Sequence, residues 1–192
     1  MKYLLVFSIA FVTFSLFAQE KGLTPILNKS AATGQTYAVV VGISNYQDEG
    51  IPDLQFADKD AEAFANFLRS PAGGELDEDH LKLLTNEQVK FGKFDAALWW
   101  LVDECKEGDK VIIYFSGHGD VERRSMSQPG FLLCWDAPSL AYTGGGTYSL
   151  FFLKDIVSTL SLQNKVKVTL ITDACRSGKL AGSSIGGAQA TA

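Results

Sequence analysis

Tyr37-Ala-Val-Val-Val-Gly-Ile43 is short, apolar without a break, and rich in β-branched residues. A run of this kind reads as a strand buried on both faces, as in a parallel sheet covered on each side. Lys110 to Phe115 and Val166 to Thr172 have the same character, Leu81 to Leu84 is a shorter candidate, and Phe131 to Trp135 reads as a strand or hairpin arm. Between these runs the apolar period lengthens. Leu54, Ala57, Ala61, Phe64 and Leu68 fall on one helix face behind Asp53, a natural N-cap, and Pro71, Gly73 and Gly74 end it. Thr85 with Gln88 offers a capping box to the next helix, whose apolar face is Phe91, Phe94, Leu98, Leu101 and Cys105. Leu150, Leu153, Val157 and Leu160 suggest a third helix behind Ser149. Strands alternating with helices predict an α/β fold with a mainly parallel central sheet. Ligands on such sheets sit beyond the carboxyl ends of the strands.

A chain of 192 residues favours one folded domain, and 46% hydrophobic with 20% charged residues is ordinary globular usage. Lys2, the apolar run Leu4 to Ala18 and then polar Gln19, Glu20 and Lys21 describe a secretory signal peptide. The run is shorter than the roughly 20 residues of a membrane span, so no stable membrane anchor is expected. The expected divisions are a signal peptide at 1–18, an arm at 19–36, the α/β domain at 37–180, and a Gly/Ser/Ala-rich linker at 181–192. Export places the mature protein in a periplasm or outside the cell. A net charge of −5 and the lack of a basic cluster argue against a nucleic-acid partner. The adjacent pair Arg123 and Arg124 is assigned to a solvated loop.

Two strand ends carry unusual chemistry. One is Ser116-Gly-His-Gly-Asp120, where His118 suits proton transfer near neutral pH and the glycines allow a sharp turn and a close substrate. The other is Thr172-Asp-Ala-Cys-Arg-Ser-Gly178, where Cys175 ends a strand and precedes a Gly-containing turn. An imidazole facing a thiol favours the nucleophilic thiolate. The plainer reading is that a lone cysteine is a small core residue and a lone histidine structural. Of the remaining thiols, Cys105 and Cys134 lie in apolar patterns and are expected to pack; an odd total of three leaves at least one free. His80 is expected in a solvated loop, and Trp99 and Trp100 on the surface and core sides of one helix.

From Tyr37 to about Gly178 the chain resembles the large catalytic subunit of the caspase and metacaspase clan. The resemblance rests on Tyr37-Ala-Val-Val-Val-Gly-Ile-Ser-Asn-Tyr46, Asp58-Lys-Asp-Ala61, Ser116-Gly-His-Gly119 and Asp173-Ala-Cys-Arg-Ser-Gly178. It implies a three-layer sandwich and a cysteine endopeptidase acting on proteins or peptides. In it Cys175 forms an acyl-enzyme, His118 manages protons, and the backbone N–H groups of Gly119 and Cys175 form the oxyanion hole. Metacaspases carry acids at the positions of Asp60 and Asp173, which implies a pocket for Arg or Lys. The caspase arginine that selects aspartate corresponds to Leu54. No cofactor or metal is implied for bond cleavage; calcium stimulates some metacaspases, but no matching acidic cluster stands out. The family sheet has six main strands, of which four are placed here, so a C-terminal small-subunit segment is expected to complete it. An inactive caspase-like interaction module is the alternative, and separase-like or gingipain-like enzymes are more distant ones. A flavodoxin-like binding domain lacks support, because Ser44 to Gln47 is not glycine-rich.

Overall fold

The computed structural model describes residues 34–174. The signal peptide at 1–18, nearly all of the arm at 19–36, Cys175 and the linker at 181–192 lie outside the described residues. The elements run β1 (Thr36–Gly42), α1 (Ala57–Arg69), β2 (Leu81–Thr85), α2 (Phe91–Glu104), β3 (Lys110–Ser116), β4 (Gly119–Val121), β5 (Gly130–Leu133), β6 (Thr147–Ser149), α3 (Leu150–Ser158) and β7 (Lys167–Asp173). The three long apolar runs and the Leu81 run become one parallel sheet in the order β2-β1-β3-β7, although β7, last in that order, is exposed or half-exposed at every residue rather than buried on both faces as expected. β4, β5 and β6 form a separate antiparallel sheet. The stretch from Phe131 therefore supplies the middle strand of this small sheet.

Alternation along the strands divides the core. Val39, Val41, Val111, Ile113 and Phe115 face α2 and α3, where Phe94, Leu98, Leu101, Leu153 and Ile156 meet them. Ala38, Val40, Ile112 and Tyr114 face α1 through Ala61, Ala65 and Leu68. The result is helix, sheet, helix: the mixed α/β sandwich expected. Each large side chain buried here contributes about 1.5–3 kcal/mol before entropy is counted. On the α1 side the packing is close at Gly42. A Cβ on Gly42 would lie 2.3 Å from the Ala57 carbonyl oxygen and 2.5 Å from the Ala61 Cβ. Gly42 thus lets α1 lie directly on the sheet.

Three local expectations are corrected. α1 begins at Ala57, so Leu54 lies outside it, and Asp53 is not its cap; the cap position is Phe56, without a side-chain bond. The Asp53 carboxylate instead accepts the Tyr46 N–H at 3.2 Å. The Thr85–Gln88 capping box exists, but it closes the single 3-10 turn Asn86–Gln88, and α2 starts later behind Lys90. In α3, Ser149 does cap, accepting the Phe151 N–H, but Ile156 takes the buried position expected of Val157.

Candidate active site

β1 and β3 are neighbours in the sheet, yet the chain leaves β1 for β2 on one side and reaches β3 on the other. At such a reversal, sheets of this kind open a crevice beyond the carboxyl ends of the strands, where ligands bind. β3 ends there at Ser116, paired with Asp173 of β7. The Gly117 N–H donates to the Asp173 carbonyl at 3.1 Å, and the His118 N–H donates to Tyr46 Oη at 2.7 Å. A Cβ on Gly117 would crowd that oxygen at 3.0 Å and the Phe115 ring at 3.2 Å, so glycine admits both groups. The His118 ring lies tilted against Tyr46, with centroids 5.2 Å apart. Its Nε2 is 2.7 Å from the Pro52 carbonyl oxygen. A carbonyl can only accept, so Nε2 carries the hydrogen and Nδ1 is the basic nitrogen of the neutral ring.

The backbone beyond His118 is equally defined. Leu133 N–H donates to the His118 carbonyl, and Gly119 lies opposite Leu132. This register makes Gly119 and Leu132 a non-hydrogen-bonded pair, so the Gly119 N–H takes no part in the ladder.

The loop 44–53 underlies this geometry. Asn86, at φ 46°, accepts the Ser44 N–H at 2.8 Å and donates to Asp58 Oδ2 at 3.0 Å. Asn tolerates this left-handed conformation better than most residues. The Ser44 hydroxyl donates to Asp58 Oδ1 at 2.6 Å. That bond, aided by Asn86, holds the Asp58 carboxyl below its ordinary range. Gln47 N–H donates to the Trp135 carbonyl, and Asp48 accepts the Ser139 N–H at 2.8 Å. The loop is therefore tied to β2's end, to His118 and to the segment after β5.

Of the predicted site residues, His118 and Gly119 fall at the end of β3 and start of β4, and Asp173 closes β7. Cys175 lies outside the described residues; in sequence it follows Asp173 by two residues, as His118 follows Ser116. Asp60 is exposed in the first turn of α1, and Asp173 is exposed. Both carboxylates act on one group. Burial pushes the Tyr114 phenol up, a hydrogen bond with Ser116 opposes this, and the charges of Asp60 and Asp173 push further up.

The other candidates are accounted for by packing. Cys105 and Cys134 are buried free thiols, both pushed up by burial, Cys105 to about 12. His80 is less solvated than expected. Its Nδ1 meets Asp77, its Nε2 meets Gln35, and its ring lies 4.9 Å from Tyr37. Trp99 is exposed, while Trp100 packs on the core edge with Lys82 Nζ 4.1 Å from its ring. Arg124 is also more than a solvated charge: its guanidinium grips buried Glu122 and donates to the Leu140 carbonyl. Among the described residues, no acidic, His or Cys group could hold a metal, and no helix is long and apolar enough to cross a membrane. Sequence reasoning gave Pro52 and Tyr46 no role of their own. Tyr46 stood only inside a matched motif, and Pro52 acts through its carbonyl, which no side-chain pattern records.

The family model for the caspase domain matches residues 35–191. Metacaspase-2 of Arabidopsis thaliana is 30% identical over 155 residues, covering 76% of this chain and 35% of that protein. Metacaspase-1 of Debaryomyces hansenii is 26% identical over 113 residues, 56% of this chain and 24% of that protein. The chain thus spans about a third or less of the length of these relatives. A protein from Geobacter sulfurreducens of known crystal structure aligns with a TM-score of 0.55 at 15% identity, over 73% of this chain and 50% of that one. At that identity the likeness concerns the fold alone.

Proposed function

This chain belongs to the caspase domain family, and from that premise we propose that it is a cysteine endopeptidase using His118 and Cys175, with a preference for Arg or Lys before the cut. The observation that carries the reading is the oriented imidazole at the end of β3. His118 has its backbone N–H and its Nε2–H both engaged, on Tyr46 and Pro52, and its Nδ1 left as the base. The neighbouring strand β7 runs in register with β3 and leads the sequence to Cys175.

The chemistry follows from these groups. Nδ1 takes the thiol proton, and the Cys175 thiolate attacks the scissile carbonyl carbon. The oxygen becomes an oxyanion that the N–H groups of Gly119 and Cys175 stabilise. Such a donor is worth roughly 2.7–4 kcal/mol in acyl transfer. The imidazolium gives its proton to the leaving amine as the C–N bond breaks. Water, deprotonated by the same nitrogen, then attacks the thioester and frees the second product and the thiol. Asp60 and Asp173 would hold a cationic side chain near Tyr114, and two carboxylates disfavour an acidic one. No cofactor enters these steps, and residues 1–18 would direct the protein out of the cytoplasm.

The test is a fluorogenic panel of peptides differing only in Arg, Lys or Asp before the cut, run on the wild type, Cys175→Ala and His118→Ala. Turnover is expected with Arg and Lys, and in neither variant. Turnover surviving either substitution in clean protein removes the dyad. A folded wild type without turnover or selective thiol reactivity favours the inactive interaction module.

A further inference from the structure

We propose that Tyr46 is a positioning residue for this reaction, its phenol oxygen seating the backbone of His118 and its ring supporting the imidazole. The inference rests on the peptidase reading above. Tyr46 is 8% exposed and sits on the loop between β1 and α1, far from His118 in sequence. It touches the histidine twice, through the 2.7 Å hydrogen bond from the His118 N–H and through the tilted ring contact. Its own backbone is held in turn: its N–H donates to Asp53, and the next N–H, of Gln47, donates to the Trp135 carbonyl. The missing side chain at Gly117 makes room for the hydroxyl.

This arrangement decides which backbone donors remain for chemistry. The turn after β3 offers three N–H groups. Gly117's is spent on the Asp173 carbonyl and His118's on Tyr46, while Gly119's stands outside the β4–β5 ladder. Tyr46 thereby holds the Gly117–His118 peptide plane, while Leu133 holds the next one through the His118 carbonyl, and between them they aim the Gly119 donor proposed for the oxyanion. The same bond sets the Cα of His118, from which Nε2 reaches Pro52. Burial pushes the Tyr46 phenol up, so it stays a neutral hydroxyl through any working pH.

The test compares Tyr46→Phe, which keeps the ring and removes the acceptor, with Tyr148→Phe, which removes a buried hydroxyl bonded to Asp95 away from the crevice. The chain has only two histidines, so the His118 ring signals are readily followed by NMR across a pH titration, with His80 as internal reference. Tyr46→Phe is expected to shift the His118 ring signals and their titration and to lower kcat, with KM within about twofold. A fall of tenfold to hundredfold is the scale on which small misplacements act. Tyr148→Phe should lower stability and leave both readouts unchanged. A folded Tyr46→Phe with wild-type kcat, or with unmoved His118 signals, overturns the inference. Where Cys175→Ala still turns over peptides, the peptidase reading falls and this one with it. Loss of activity in Cys175→Ala but not in Tyr46→Phe defeats this inference alone.

Discussion

Iodoacetamide added to the folded protein at about pH 7.5 is expected to alkylate Cys175 and to spare the other two thiols. Cys105 is 4% exposed at the C-cap of α2, and Cys134 has no exposed surface. Burial, with Asp109 and Glu104 adding their charge, moves the Cys105 thiol from an ordinary 9.0 to about 12. At neutral pH that alone cuts its thiolate about a thousandfold. Cys134 is pushed the same way, by burial and then by Asp136. Reagent access requires a local opening besides, which multiplies the protection. Cys175 with His118 as its base should behave oppositely, because a paired imidazole favours the thiolate. The assay is intact mass followed by peptide mapping over time. One label per chain is expected, on the peptide holding Cys175, with Cys105 and Cys134 reacting only in denaturant. His118→Ala should slow the native label about tenfold or more. The reasoning fails if Cys105 or Cys134 is alkylated as fast as Cys175 in native protein. It also fails if Cys175 reacts like a small free thiol and ignores His118→Ala.

Three further outcomes are expected. Gly42→Ala forces α1 off the sheet and should cost about 1–3 kcal/mol, in line with overpacking; unchanged urea unfolding would refute the close approach. Asp60→Ala combined with Asp173→Ala should abolish the preference for Arg over uncharged residues in kcat/KM, whereas retained preference removes the proposed pocket. The Arg124 hydrogen bonds lower the Glu122 carboxyl from 4.5 to about 2. Their stabilisation is therefore complete above about pH 4.5 and is lost as pH falls toward 2. Glu122→Gln should be less stable than wild type near neutrality, with the gap closing across that window; a gap constant with pH in urea titrations contradicts the ion pair.

The central strands are legible because a segment covered on both faces must be apolar at every position, as from Tyr37 to Ile43. Helix faces are legible through Ala61, Leu68, Phe94 and Leu98, all nearly inaccessible. Boundaries fail where a polar side chain has a tertiary partner. Asp53 carries the sign of a cap, but its carboxylate is drawn to the Tyr46 N–H. Thr85 and Gln88 form a true capping box on a turn too short to announce itself by periodicity. At the site, His118 stands out by its residue type between two glycines, whereas its partner Pro52 acts through a carbonyl 66 residues away. A main-chain contact at that separation leaves no mark in composition, spacing or pattern. That the charges of Asp60 and Asp173 both reach Tyr114 likewise depends on α1 crossing the sheet at Gly42.

The ties of the loop 44–53 have a consequence for how the molecule loses its competence. This one segment holds the end of β2 through Asn86, the imidazole through Pro52 and Tyr46, and the chain after β5 through Asp48 and Gln47. It is held by these polar contacts and by two buried hydrophobic side chains, Tyr46 and Ile51, while the sheet beneath is fastened by buried apolar side chains along every central strand. Segments of the first kind open at lower free energy than cores of the second. The amide hydrogens of Ser44, Tyr46, Gln47 and His118 should then exchange together, in one cooperative event that leaves the β1 and β3 amides protected. On warming, the imidazole should be unseated while the sheet persists, so the proposed activity should be lost before the fold melts.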